Sequence, residues 1–174
     1  MRKTIGNHQQ LLQLSKDFTR HKIETNEKFE QVFKALEAPE IQKQGVFFDG
    51  QTYDAYDFVN GLIKKAEKSI IVIDNYINDG VITQLTKKRK DVAVYLLSKN
   101  ISKKLQLDIN KANTQYPMFK AIPFAKAHDR FLILDQKEVY HIGASLKDLG
   151  KKWFAFSRLA HDSVTILQSI KELI

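Results

Sequence analysis

At 174 residues, with 43% apolar and 28% charged side chains, the chain is long enough for one domain with a real core and too short for two comfortable ones. It has no cysteine, which excludes a disulfide framework and a thiolate metal site, and it has no run near the ~20 apolar residues that span a bilayer. Lysine and arginine exceed aspartate and glutamate by 28 to 20, a net charge of +8 and a pI of about 9.5, and a surplus of that size either attracts polyanions, nucleic acid first and an anionic membrane surface second, or is a solvated basic surface with no cognate ligand.

Met1 to Gly6 leads into glutamines rather than an apolar block, unlike a secretory signal, and with no cysteine the chain suits a reducing cytoplasm. Residues 5–37 read as a helix whose Leu11, Leu14, Phe18, Phe29, Val32 and Leu36 fall near one face. The heptad is loose, broken by His21 and Thr25, so the helix either covers its own domain's core or packs on a neighbour, a second copy included. Pro39 ends it, and Glu40 to Gly45 reads as a linker. The chain thus divides into an N-terminal helix, 1–38, and an α/β domain, 45–174.

Val46 to Phe48 reads as a short strand before an Asp49-Gly50 turn, and Asp54 as the cap of a helix with Ala55, Phe58, Val59, Leu62, Ile63 and Ala66 on its apolar face. Ser69 to Asp74 is a continuous apolar run, expected as a strand buried on both faces. A helix over 79–89 ending in Lys87-Lys88-Arg89-Lys90 follows, then a buried strand at Val92 to Leu97. A helix over 102–113 places Ile101, Leu105 and Ile109 on one face. Met118 to Phe124, Phe131 to Leu134, Val139 to Ile142 and Trp153 to Phe156 read as strands. Asp162 or Ser163 would cap a last helix with Val164, Leu167, Ile170 and Leu173 inward. Helices alternate with strands early and strands cluster late, which predicts an α/β fold: a mixed sheet sandwiched by helices.

The stretch that can carry chemistry is Ala127-His128-Asp129-Arg130-Phe131-Leu132-Ile133-Leu134-Asp135. His128 and Arg130 are two apart at the entry of a strand, so they share a face. Arginine supplies a fixed fork of donors for a phosphate, and histidine can attack phosphorus or move a proton near neutral pH.

That stretch resembles the HKD motif of the phospholipase D superfamily, His-x-Lys, four residues, then Asp, with His128, Arg130 and Asp135 at those places. The family's following Gly-Ser segment corresponds to Gly143-Ala144-Ser145, one residue late and with an alanine inserted. The resemblance covers about 45–174. It implies a phosphohistidine formed on one motif histidine, a second histidine protonating the leaving group, lysines on the phosphate oxygens, and no metal or cofactor. With one motif, the chain is similar to the small bacterial nucleases that pair two copies, so His128 would be nucleophile in one subunit and general acid in the other. Arg130 would clamp phosphate, Asp135 would support the histidine or nearby hydrogen bonds, and Ser145 and Lys147 would add phosphate contacts. Arg130 in the lysine place keeps charge but changes shape, which favours retained binding over retained turnover.

A second resemblance lies in Phe47 to Gln51, Ile73 to Ile77 and Tyr140 to Ser157. These look like the C-terminal region of bacterial and phage proteins that carry a KilA-N-like DNA-binding domain, and would make the N-terminal helix a connector or dimer stalk. Two functions are therefore expected side by side: a homodimeric, metal-independent phosphodiesterase or nuclease, and a catalytically degenerate module that binds DNA and dimerises a regulatory protein. A lipid phosphodiesterase is a third, without an apolar anchor helix to support it.

Other motifs read more plainly. His128-Asp129 and His161-Asp162 are both His-Asp pairs, but an HD-type metal site needs such a pair on a helical scaffold with further ligands, and the first pair enters a strand. His141 reads as structural. Asp74-Asn75-Tyr76 is either a ligand contact at a strand end or a capped turn. Lys87 to Lys90 reads either as a grip on nucleic-acid backbone or, more commonly, as a solvated helix end. Lys147, Lys151, Lys152 and Arg158, with Trp153, Phe154 and Phe156 nearby, would suit a nucleic-acid groove; the alternative is that these aromatics are core, Phe154 and Phe156 pointing inward, and the lysines only rim it.

Overall fold

In the computed structural model, residues 3–37, 42–160 and 162–174 are described, with side chains of the first segment described over 12–29. Two compact units are present, Met1–Glu40 and Ile41–Ile174. The first is a 35-residue helix, α1 (Lys3–Glu37), on which Leu14, Phe18 and Phe29 are exposed. The expected stop at Pro39 and the start of the linker at Glu40, like the side chains of Leu11, Val32 and Leu36, lie outside the described residues, as does His161.

The second unit is an α/β domain built on one seven-stranded mixed sheet, ordered β1-β7-β6-β5-β2-β3-β4. Its strands are β1 (Gln44–Phe47), β2 (Ser69–Ile73), β3 (Ala93–Ser98), β4 (Phe119–Pro123), β5 (Arg130–Leu134), β6 (Glu138–Ile142) and β7 (Phe154–Leu159). β2, β3 and β4 run parallel, joined by helices; β5, β6 and β7 are antiparallel neighbours, and β5 closes onto β2 antiparallel. Helices α2 (Thr52–Lys65), α3 (Asp79–Leu85) and α4 (Lys103–Gln115) lie on one face and α5 (Ser163–Ile170) on the other.

The alternation along each strand sorts the core into those two layers. Ile70, Val72, Val94, Leu96, Leu132 and Leu134 pack under α2 to α4, while Ile71, Ile73, Leu97 and Ile133 pack against Ile166, Leu167 and Ile170 of α5. All five residues of β2 are buried, as expected of a strand covered on both faces. Ala55, Val59, Leu62, Ile63 and Ala66 are fully buried, and each of the larger ones contributes roughly 1.5–3 kcal/mol of burial.

Several boundaries differ from expectation, each for a local reason. Gln44 and Gly45 belong to β1 rather than to a linker, paired with Ser157 and Phe156 of β7. A Cβ on Gly45 would stand 2.9 Å from the Phe156 ring, so the glycine is there for packing. α2 starts at Thr52 behind Gln51, not at an Asp54 cap, because the Gln51 side chain accepts from the Phe48 N–H at 2.8 Å and closes the preceding turn. α3 ends at Leu85, and Lys88 folds back, 8% exposed, with its amine 5.7 Å from the Phe119 ring centroid; burial lowers its pKa. That segment is more than a solvated helix end, since Arg89 also donates to the Lys64 carbonyl at 3.1 Å. Trp153 lies before β7 and is exposed, and Val164 of α5 is exposed where Ile166 packs inward. Asp162 holds the N-cap position of α5 without a side-chain capping bond. No helix among the described residues is long and apolar enough to cross a membrane.

Candidate phosphate-binding recess

The sheet brings three chain segments to one end: the exit of β2, the entry of β5 and the exit of β6. The last β2–β5 pair is Ile73 with Phe131, so Asp74 and Arg130 lie one step beyond it, and Arg130 is itself paired with Ile142 of β6. A recess of about 520 Å³ opens there. Tyr76 and Arg130 line it together with the segment from Gly143 through Lys147 and Asp148 to Trp153.

Asp74 builds this end of the molecule. It is 1% exposed, and its carboxylate accepts the Ser145 hydroxyl at 2.7 Å and the N–H groups of Leu146 at 3.1 Å and Tyr76 at 2.9 Å. The capped turn expected as one alternative at Asp74-Asn75-Tyr76 therefore describes Asp74, and Ser145, expected as a phosphate contact, has its hydroxyl proton committed to that carboxylate. Asn75 continues the framework: it accepts the Lys99 N–H at 2.8 Å and donates to the Ala127 carbonyl at 3.4 Å, holding the residue before His128.

Two cations converge on the Tyr76 ring. The Arg130 guanidinium lies 5.5 Å and the Lys147 amine 5.2 Å from its centroid, within cation–π range. Arg130, half-buried at the strand entry, has no ion-pair partner among the described residues. Lys147 is 4.0 Å from Asp148, whose carboxylate is engaged more closely by Lys151 at 2.9 Å. That bond holds the Asp148 carboxyl below and the Lys151 amine above their ordinary values. With Lys152, the recess carries four cations to one carboxylate. It can hold an anion whose oxygens take the Arg130 fork.

The remaining motif residues do not gather there. His128 is exposed in the bend before β5, outside the recess lining, with no side-chain hydrogen bond among the described residues. The neighbouring Asp129 faces His141 at 3.8 Å, not His128. Asp135 sits at the far end of β5, on the order of 16 Å from Arg130 at ~3.3 Å per strand residue. It cannot support the histidine of its own chain. Its carboxylate instead accepts the N–H groups of Glu67 (3.1 Å), Lys68 (2.6 Å) and Ser69 (2.9 Å), pinning the α2–β2 turn. Partial burial opposes its charge, but those three N–H groups and Lys137 outweigh it and hold its carboxyl below the usual range. At the same end Glu138 accepts from Lys65 at 2.8 Å and from Tyr140 at 3.1 Å, and faces Arg158 at 3.6 Å. Arg158 thus serves this network rather than the recess. No cluster of three or more metal-ligating side chains occurs among the described residues.

No family model and no curated protein matches the chain. Among solved structures it is similar to TrmBL2, described as an archaeal chromatin protein with a novel mode of DNA binding: 14% identity, TM-score 0.50, covering 95% of this chain and 65% of that one. It is also similar to polyphosphate kinase from Porphyromonas gingivalis, at 14% identity and TM-score 0.45 over 83% of this chain and 24% of that one. This chain thus spans less than two thirds of the length of either. At such identity the first likeness speaks to the fold alone, an α/β domain preceded by a helix.

Proposed function

We propose that the recess binds a phosphodiester group of nucleic acid, and that the domain is a phospholipase-D-like half-site. One observation carries the reading: a half-buried guanidinium without a carboxylate partner among the described residues shares the Tyr76 ring with a second cation, inside a recess of net positive charge. A permanent cation held on an aromatic ring is placed in advance, so little is lost in ordering it when an anion arrives. Arg130 is the fork for the phosphate oxygens, Lys147 the second cation, and the +8 surplus of the chain draws the polyanion in. The test is titration of a labelled oligonucleotide with the wild type and with the Arg130→Gln/Lys147→Gln double variant, using Lys137→Gln at the opposite sheet end as control. The double variant is expected to lose at least about tenfold in affinity and the control to bind nearly as wild type.

A second reading, hydrolysis, is favoured by His128 itself, an exposed imidazole two residues before Arg130 with no side-chain hydrogen bond among the described residues. One chain supplies one such imidazole and, among the described residues, no orienting carboxylate, so turnover requires two copies of the chain to meet with their His128 side chains across one phosphorus. One would attack and form the phosphohistidine while the other protonates the leaving oxygen, and water would then release the phosphate. Chelator-resistant cleavage of plasmid DNA that disappears in His128→Ala supports this reading. Oligonucleotide binding without cleavage leaves the protein a DNA-binding module.

A further inference from the structure

We propose that Trp153, backed by Phe48, is a stacking platform for an unpaired nucleobase, so that the site takes single-stranded nucleic acid. This rests on the phosphodiester-binding reading of the recess and names its substrate class.

Trp153 is 70% exposed and Phe48 47% exposed, in a fold whose other late phenylalanines, Phe154 and Phe156, are buried. Leaving an indole in water forfeits a large burial gain, so its position next to the cations is informative. The two rings meet at 4.8 Å between centroids and 90° between planes. With that one ring perpendicular to it and 70% of its surface in water, the indole keeps aromatic surface available to a planar ligand. Trp153 lines the same recess as Arg130 and Lys147. A phosphate on the cations and a base on the indole are the two halves of one nucleotide contact, the pairing of charge with aromatic surface that suits unpaired strands. In a duplex the base faces are already stacked on one another and unavailable.

The platform is held in advance. The Gly50 N–H donates to the Gly150 carbonyl at 3.2 Å and the Thr52 hydroxyl to the same oxygen at 3.4 Å, tying the Phe48 turn to the loop that carries Trp153. Gly150 has φ of 69°, and a Cβ there would lie 2.4 Å from the Thr52 Cα. Only glycine permits that approach.

Trp153 is the only tryptophan of the chain, so its emission reports the platform directly. The full chain is titrated at fixed salt with an oligothymidylate of about a dozen nucleotides, with an abasic strand of the same backbone length, and with a duplex. The oligothymidylate is expected to quench the emission and to bind about tenfold more tightly than the abasic strand, with the duplex leaving the emission unchanged. By anisotropy of a labelled strand, Trp153→Ala should erase the tenfold preference and Trp153→Phe should retain most of it. Equal affinity for the abasic strand and the oligothymidylate, or equal quenching by the duplex, overturns the platform and leaves the phosphate recess standing. Failure of all three to bind overturns both.

Discussion

The hydroxyl of Ser145 donates to the buried carboxylate of Asp74 at 2.7 Å, joining two positions 71 residues apart. Through that bond the loop carrying Lys147 is fixed to the strand end carrying Tyr76, and the two cations of the recess acquire a common floor. Ser145→Ala removes one donor from a buried acceptor and is expected to cost about 1–2 kcal/mol in chemical denaturation. Asp74→Ala orphans two N–H groups as well and should cost about 3 kcal/mol, with loss of oligonucleotide affinity even though Asp74 never meets the ligand.

Asp135 predicts an acid-linked stability. Its folded carboxyl lies below the unfolded value of 3.8, so the contribution is complete above that value and disappears as pH falls through the folded one. Asp135→Asn keeps an acceptor oxygen and tolerates the left-handed backbone at φ 54°. Near pH 7 the variant should be less stable by about 1–2 kcal/mol, and the gap should close as pH falls from the unfolded value through the folded one. A gap independent of pH would contradict the charged anchor.

Tyr140 predicts the opposite limb. Burial, with the charge and hydrogen bond of Glu138, raises its pKa to about 12 from the free value of 10.0. A group whose folded pKa is raised stabilises fully below its unfolded value, and that stability is lost as pH rises from 10 to 12. Phenolate absorbance should show one of the six tyrosines ionising late, and Tyr140→Phe should remove that component.

Gly150→Ala combines a positive φ with a 2.4 Å approach to the Thr52 backbone. We expect a loss of a few kcal/mol, on the order of 3, read as a lower denaturation midpoint with an unchanged slope. Gly50, also at positive φ but with open space where a Cβ would stand, should lose less, on the order of 1 kcal/mol.

Much of the fold was legible wherever one short segment decides its own burial. The α2 face and the β2 run are of that kind, because periods of 3.6 and continuous apolarity state which sides are covered. The start of β1 was not, since Gln44 and Gly45 join the strand only by pairing with β7, and Gly45 reads as linker until Phe156 is seen against it. The candidate site divides the same way. The reading of Arg130 at a strand entry matches its place in the recess, whereas His128, two residues earlier, stands in the bend outside the lining. The partner of Arg130 is Tyr76, however, 54 residues away, and Asp135 turns to the α2–β2 turn at the other sheet end. Trp153 reads as a strand residue from sequence, since the alternation that buries Phe154 and Phe156 carries no mark of where the strand begins.

The most direct test of the account is the salt dependence of oligonucleotide affinity for the wild type and Arg130→Gln. If Arg130 holds a phosphate, the variant binds more weakly and the slope of log affinity against log salt falls by about 0.7–1. An unchanged slope with unchanged affinity would mean that nucleic acid, if bound at all, does not meet Arg130, and the recess would lose its assigned role.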